Sequence, residues 1–215
     1  MARVVARNRK PKSVASSEGE PAWDIALAFP RQGSWTEDDY FSIEQTLGNR
    51  LVELANGSLE FLPMPDFYYQ DIVEFLFSAL KAYLQDHQFG RAYFAPLPIR
   101  LWAGQIREPD IAVFRHGRIK NKRKTGDGAD LVVEVVSPGD EARDRDLDIK
   151  RRDYAKAKIP EYWIVDPETK TITVLTLSVK AYKAHGVFKE GDEATSKLLK
   201  GFKVAVSEVF AAGER

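Results

Sequence analysis

The sequence predicts a mixed α/β fold, a central mixed β-sheet flanked by helices and trimmed by β-hairpins. Three observations predict it. Short runs rich in β-branched and aromatic residues alternate with stretches of helical periodicity. Tight-turn residues sit between paired apolar runs, at Asn56-Gly57 and at "PETK" (residues 167–170). Finally, "GADLVVEVVSP" (residues 128–138) carries Leu131, Val132, Val133, Val135 and Val136 in a row, the pattern of a strand covered on both faces.

The 215 residues suffice for one domain with a sizeable core. A hydrophobic content of 44% with 30% charged residues places the chain among ordinary globular proteins. The expected organisation is a disordered basic tail over residues 1–20 and a single domain over 21–215, since the first twelve residues hold five Lys or Arg and no acid. Net charge is zero, so any attraction to nucleic acid must come from local patches. The absence of cysteine excludes disulfides, thiolate catalysis and Cys-bound zinc, and fits a cytoplasmic setting. His87, His116 and His185 are not at ligand spacing, which leaves a His-built metal site or a Ser–His–Asp triad with little support. Polar chemistry therefore falls to carboxylates and lysines. No apolar run is long enough to cross a bilayer.

In chain order, "SWTEDDYFSIEQ" opens a helix, with Thr36 as N-cap and Asp39 in the capping-box position. "NRLVELANGSLEFLP" reads as a hairpin turning at Asn56-Gly57. "YYQDIVEFLFSALKAYLQDHQ" is a long amphipathic helix whose core stripe is Ile72, Phe75, Leu76, Ala79, Leu80 and Tyr83. "AYFAPLPIRLW" and "IREPDIAVF" are the next two strands, then a polar loop, then "DLVVEVVS". "GDEARDRDLDIKRRDYAKAK" is a charged helix whose first acids and arginines, Asp146 among them, read as a solvated helix start. "EYWIVD" and "TITVLTL" form a second hairpin, in which Tyr162 and Trp163 read as strand core rather than as bases' stacking partners. The remainder supplies a short strand or two and a terminal helical turn.

One residue breaks the apolar strand. Glu134 stands in the middle of "LVVEVV", and an unpaired carboxylate there would be costly, so a cation should meet it unless the strand is less buried than it looks. Asp110 occupies a similar place at the start of "DIAVF". If the two strands are neighbours their carboxylates converge, and two converging oxygen ligands suit Mg²⁺, with Mn²⁺ as a substitute. At 100° per residue, Leu147, Lys150, Tyr154 and Ala157 share one face of the following helix. Lys150 thus points inward, where an ammonium can balance charge, orient a water or steady a developing anion.

Pro109-Asp110, then "EVVSP" from Glu134, then "DLDIKRRDYAKAKIPEYWIVDP" (residues 146–167) resemble the Uma-type restriction endonuclease family, a branch of the PD-(D/E)xK, restriction-endonuclease-like superfamily. The resemblance spans residues 35–177. It implies a metal-dependent endodeoxyribonuclease in which Asp110 and Glu134 bind Mg²⁺ and Lys150 is the catalytic lysine. The family's usual lysine two positions after the acid is Val136 here, and Lys150 on the following helix takes its place. Glu53 matches an acid near the start of the fold that joins the site, although strand alternation alone would let it face solvent. A histidine common just before the long helix is missing; the place reads Phe67-Tyr68-Tyr69, with Tyr69 the nearest match.

DNA is the partner so implied, and a homodimer is the assembly expected of nucleases that cut both strands. The loop carrying Arg115, Arg118, Lys120, Lys122, Arg123 and Lys124 joins the two acid-bearing strands, which would bring it near the mouth of the site to contact phosphates; a merely solvated loop is the competing reading. The competing function is a non-catalytic nucleic-acid-binding or assembly protein that retains the fold.

Overall fold

The computed structural model describes residues 29–47 and 51–214; the basic segment 1–20 lies outside them. Every element below belongs to the compact unit Gln32–Arg215.

Helix α1 (Glu37–Leu47) opens on the expected capping box: Asp39 N–H donates to Thr36 Oγ1 at 3.2 Å and Thr36 N–H to Asp39 Oδ2 at 3.0 Å. Strands β1 (Val52–Ala55) and β2 (Ser58–Phe61) pair antiparallel about Asn56-Gly57, whose φ angles of 50° and 75° are those of a hairpin turn matched to strand twist. Gly57 has a second reason to be glycine. A Cβ there would lie 2.7 Å from the Gly33 carbonyl oxygen. Helix α2 (Phe67–Asp86) is capped by Asp66, which accepts from Tyr69 N–H, and it buries Ile72, Val73, Leu76, Leu80 and Leu84.

The next two apolar runs each divide in two, where a single strand was expected. "AYFAPLPIRLW" becomes β3 (Gly90–Phe94) and β4 (Ile99–Trp102); "IREPDIAVF" becomes β5 (Gln105–Arg107) and β6 (Ile111–Arg115). Prolines stand at both breaks, and proline lacks the N–H that a continuous ladder needs. The halves enter different sheets, so the chain crosses from one sheet to the other at Glu108-Pro109-Asp110. After the short β7 (Gly126–Asp127) comes β8 (Leu131–Val135). The charged helix follows as α3 (Asp140–Asp144), a π-helical turn (Arg145–Ile149) and α4 (Lys150–Lys156). Then come β9 (Glu161–Asp166), β10 (Thr171–Ser178), β11 (Ala181–Lys189), β12 (Glu193–Thr195), β13 (Lys203–Ala205) and α5 (Val206–Gly213).

The main sheet is mixed and runs β11-β10-β9-β8-β6-β3, with β8 and β9 parallel and the other neighbours antiparallel. A second sheet runs β2-β1-β5-β4-β7, and β12 pairs with β13. β8 is buried along its whole length, and its alternation divides the core in two. Leu131, Val133 and Val135 face a cluster with Leu76 and Leu80 of α2 and Phe210 of α5. Val132 and Val136 face a cluster with Tyr154, Ala155 and Ile99. Glu134 belongs to the second face. Each such valine contributes about 1.5–3 kcal/mol by leaving water. Tyr162 and Trp163 are core residues, as their strand predicts.

The basic loop is not where the sequence suggested. Because β6 and β8 run antiparallel, the loop joins the end of β6 to the start of β8, whereas Asp110 and Glu134 lie at the opposite ends. Five residues of strand, at about 3.3 Å each, put roughly 16 Å between Arg115 and Asp110. Arg115 and Arg118 instead pair with Asp130, at 3.5 and 3.2 Å. Arg118, Lys120, Arg123 and Lys124 line a separate hollow beside Phe114 and Asp127; Lys122 is exposed on the same loop. No described helix is long and apolar enough to cross a membrane.

Candidate active site

The register of the main sheet brings the two acids together. Ile111 pairs with Val133 and Ala112 with Val132, so one step further along the pairing Asp110 stands opposite Glu134 on the same face. Asp110 is fixed there by Val135 N–H, which donates to its Oδ2 at 2.7 Å. Both carboxyls are nearly sealed from solvent, at 8% and 2% exposure for the two residues.

Lys150 answers the question posed by Glu134. Its ammonium donates to Glu134 Oε2 at 2.8 Å and lies 3.4 Å from Asp146 and 3.5 Å from Glu53. The Tyr154 hydroxyl donates to the other Glu134 oxygen. The π-helical turn explains how a charged segment supplies these groups. Its wider winding closes with Lys150 N–H donating to the Arg145 carbonyl, and it carries Asp146 inward beside Lys150. Asp146 is therefore a buried member of the cluster, at 2% exposure, and not part of a solvated helix start. Ser137 N–H and Arg145 also bond its carboxylate.

Glu53 reaches the cluster from the second sheet and is fully buried, which settles its orientation against the solvent-facing reading. Glu108 N–H donates to its Oε1 at 2.8 Å, and Arg107 donates to its Oε2 at 2.7 Å. Arg107 is buried too, and it bridges Glu53 to Glu60 at 2.6 Å and to Asp153 of α4 at 2.7 Å. This guanidinium fastens the β1–β2 hairpin and α4 together behind the site. Sequence reading missed it, along with Asp146 and Tyr154. An arginine inside "QIREP", with two acids on a nearby hairpin, was the available signal.

The charges set one another. Burial pushes the Asp110 carboxyl up to about 6 despite Lys150 and the Val135 N–H. Burial, reinforced by Asp110, Asp146 and Glu53, pushes Glu134 up to about 8 against the pull of Lys150. Glu53 goes the other way: burial would raise it, but Lys150, Arg107 and the Glu108 N–H outweigh burial and hold it below the usual carboxylate range. Lys150 is held above its ordinary value, because Glu134, Glu53 and Asp146 overcome the cost of burying an ammonium. Burial and the neighbouring Asp110 raise the Tyr69 phenol.

Asp110, Glu134, Asp146, Lys150, Tyr69 and Arg145 line a cleft of about 330 Å³. Among the described residues, no three carboxylates or imidazoles already close on a common point as a metal cage. The fit to Mg²⁺ is that of an open site. The donors of Asp110 and Glu134 are all hard oxygens. Each carboxylate keeps lone pairs beyond those its present partners use.

A mixed sheet that brings a Pro-Asp acid, a strand glutamate and a helix lysine to one cleft has the layout of a restriction-endonuclease-like nuclease fold. The Uma2 family model, described as "Putative restriction endonuclease", matches residues 38–207, and the chain belongs to that family. Among solved structures, a "putative nuclease" from Anabaena variabilis superimposes with a TM-score of 0.68 at 18% identity, covering 83% of this chain and 98% of that one. At that identity the likeness establishes the fold. No curated protein matches the chain.

Proposed function

We propose that the protein is an Mg²⁺-dependent endonuclease that hydrolyses DNA phosphodiester bonds. The observation that carries this reading is the meeting of Asp110, Glu134 and Lys150 in one buried cluster on the wall of a cleft. Asp110 and Glu134 would hold the cation, which supplies Lewis acidity toward the phosphate and a water of lowered pKa.

The chain's own residues do the rest. Lys150, kept charged by its three acids, places a positive charge beside Glu134, where it favours a water giving up its proton and the extra negative charge of the pentacoordinate phosphate. Tyr154 and the Val135 N–H hold the two carboxylates in place, and burial strengthens each interaction. Glu53 and Arg107 set the position of Lys150 from behind. Water adds to phosphorus, one P–O ester bond breaks, and the leaving oxygen takes a proton.

Plasmid cleavage with Mg²⁺ or Mn²⁺ tests the reading. Wild type is expected to nick or linearise the plasmid, and Glu134→Ala and Lys150→Ala to lose activity by about 10²-fold or more. Nicking that persists unchanged in both variants contradicts it.

A second reading, a non-catalytic binding protein on the same fold, draws on one observation. Both Glu134 oxygens already have partners, Lys150 and Tyr154. Tight DNA binding by wild type, with no cleavage under any divalent metal, would favour it.

A further inference from the structure

The described residues of the cleft are poor in positive charge. Among the described residues lining it, the only Lys and Arg side chains are Lys150 and Arg145. Lys150 is buried among three acids, and Arg145 is held by Asp146. Asp66, Glu108, Asp110, Glu134 and Asp146 line the same cleft. A DNA duplex is gripped chiefly through phosphates by exposed cations, and the exposed cations of the 118–124 loop lie at the far end of β6 and β8.

The lip of the cleft is apolar instead. Leu62, Pro63, Met64 and Pro65 form one wall, and Met64 is 81% exposed. Phe67, next to the lining residue Asp66, is 90% exposed. The lip is also stiff. Pro63 and Pro65 fix their own φ angles, Leu62 N–H donates to the Leu51 carbonyl at 3.0 Å, and Asp66 caps α2. Exposed apolar groups gathered in one place mark a binding surface more often than scattered ones do.

Resting on the nuclease reading of this cleft, we infer that the lip is a stacking platform for unpaired nucleobases. The preferred substrate is single-stranded or locally unpaired nucleic acid, not a regular duplex. Every base has an apolar face that stacks on an aromatic ring, whatever the sequence. In an intact duplex those faces are hidden in the stack and the protein meets phosphates, for which this cleft offers little. A strand whose phosphate sits at Asp110 and Glu134 must pass over the lip, so the platform and the chemistry serve one occupant.

Fluorescence anisotropy tests this with a labelled mixed-sequence single strand and its duplex. Both are titrated in Ca²⁺ into wild type, Phe67→Trp and the double variant Met64→Ala/Phe67→Ala. The single strand is expected to bind at least about tenfold tighter than the duplex, with a shallow dependence on salt. The double variant is expected to lose about ten- to a hundredfold for the single strand and little for the duplex. Quenching of the new indole in Phe67→Trp on adding single strand reports the stack itself. Equal affinity for both forms, or a double variant that binds like wild type, overturns the inference and leaves the nuclease reading standing. Failure of both forms to bind overturns the two together. A double variant that alters only sedimentation, or only thermal stability, makes the lip a contact between copies or within the chain, and also overturns it.

Discussion

Removing Arg107 should cost more than its distance from the reacting atoms suggests. In Arg107→Met, Glu53, Glu60 and Asp153 lose a guanidinium that now sits within 2.7 Å of each. Glu60 and Asp153 keep 35% and 17% side-chain exposure, so water compensates them in part. Glu53 has none; it is left with the Glu108 N–H at 2.8 Å and Lys150 at 3.5 Å. Breaking a buried pair by removing one partner costs about 3–5 kcal/mol, and the relief available to two of the three acids places this case near 3. For a domain of this size that corresponds to a fall in Tm of about 6–12 °C. Thermal and urea melts of Arg107→Met, Glu53→Gln and the double variant measure it. A neutral amide at position 53 needs no counter-charge, so the double variant should be more stable than the two single losses predict, by about 1–3 kcal/mol. A loss below about 1 kcal/mol in Arg107→Met, or strict additivity, would refute the view that this guanidinium holds the hairpin and α4 around the site.

Further expectations follow from the same geometry. Tyr154→Phe removes a hydroxyl donor to Glu134; it should destabilise by about 1–2 kcal/mol and move the acid limb of the cleavage–pH profile upward, because the charged carboxylate loses support. In EDTA, thermal stability should fall as pH rises from about 4 to 8. Asp110 and Glu134 have folded values of about 6 and about 8, above their unfolded ones, so the native state holds protons in that window that the unfolded chain has released. Mg²⁺ should flatten the decline, and a Tm that rises across this range in EDTA would contradict the burial argument. Gly57→Ala should destabilise by more than about 1 kcal/mol in a urea melt, since φ is 75° and the Gly33 carbonyl leaves no room for a Cβ.

Much of the site was legible because its parts are local. Glu134 stood out as a charge in an apolar strand, and counting turns from Leu147 placed Lys150 inward. The same count, carried back four residues, places Asp146 beside Lys150; the density of charge around it suggested solvent instead. Arg107 was hidden for another reason. Its partners are 54, 47 and 46 residues away, and nothing in a strand of three residues says which sheet it joins. The division of "IREPDIAVF" was signalled by Pro109, but the assignment of its halves to two sheets depends on contacts that only the folded chain makes. The loop's location was open to argument from topology. A connection between antiparallel neighbours leaves from the ends opposite Asp110 and Glu134.

The central claim is that Asp110 and Glu134 jointly hold a divalent ion beside Lys150, and calorimetric titration of Mn²⁺ tests it without knowledge of the substrate. Wild type should bind the ion, and Asp110→Ala and Glu134→Ala should each abolish binding while still melting cooperatively. Undiminished Mn²⁺ binding in both folded variants would contradict the account.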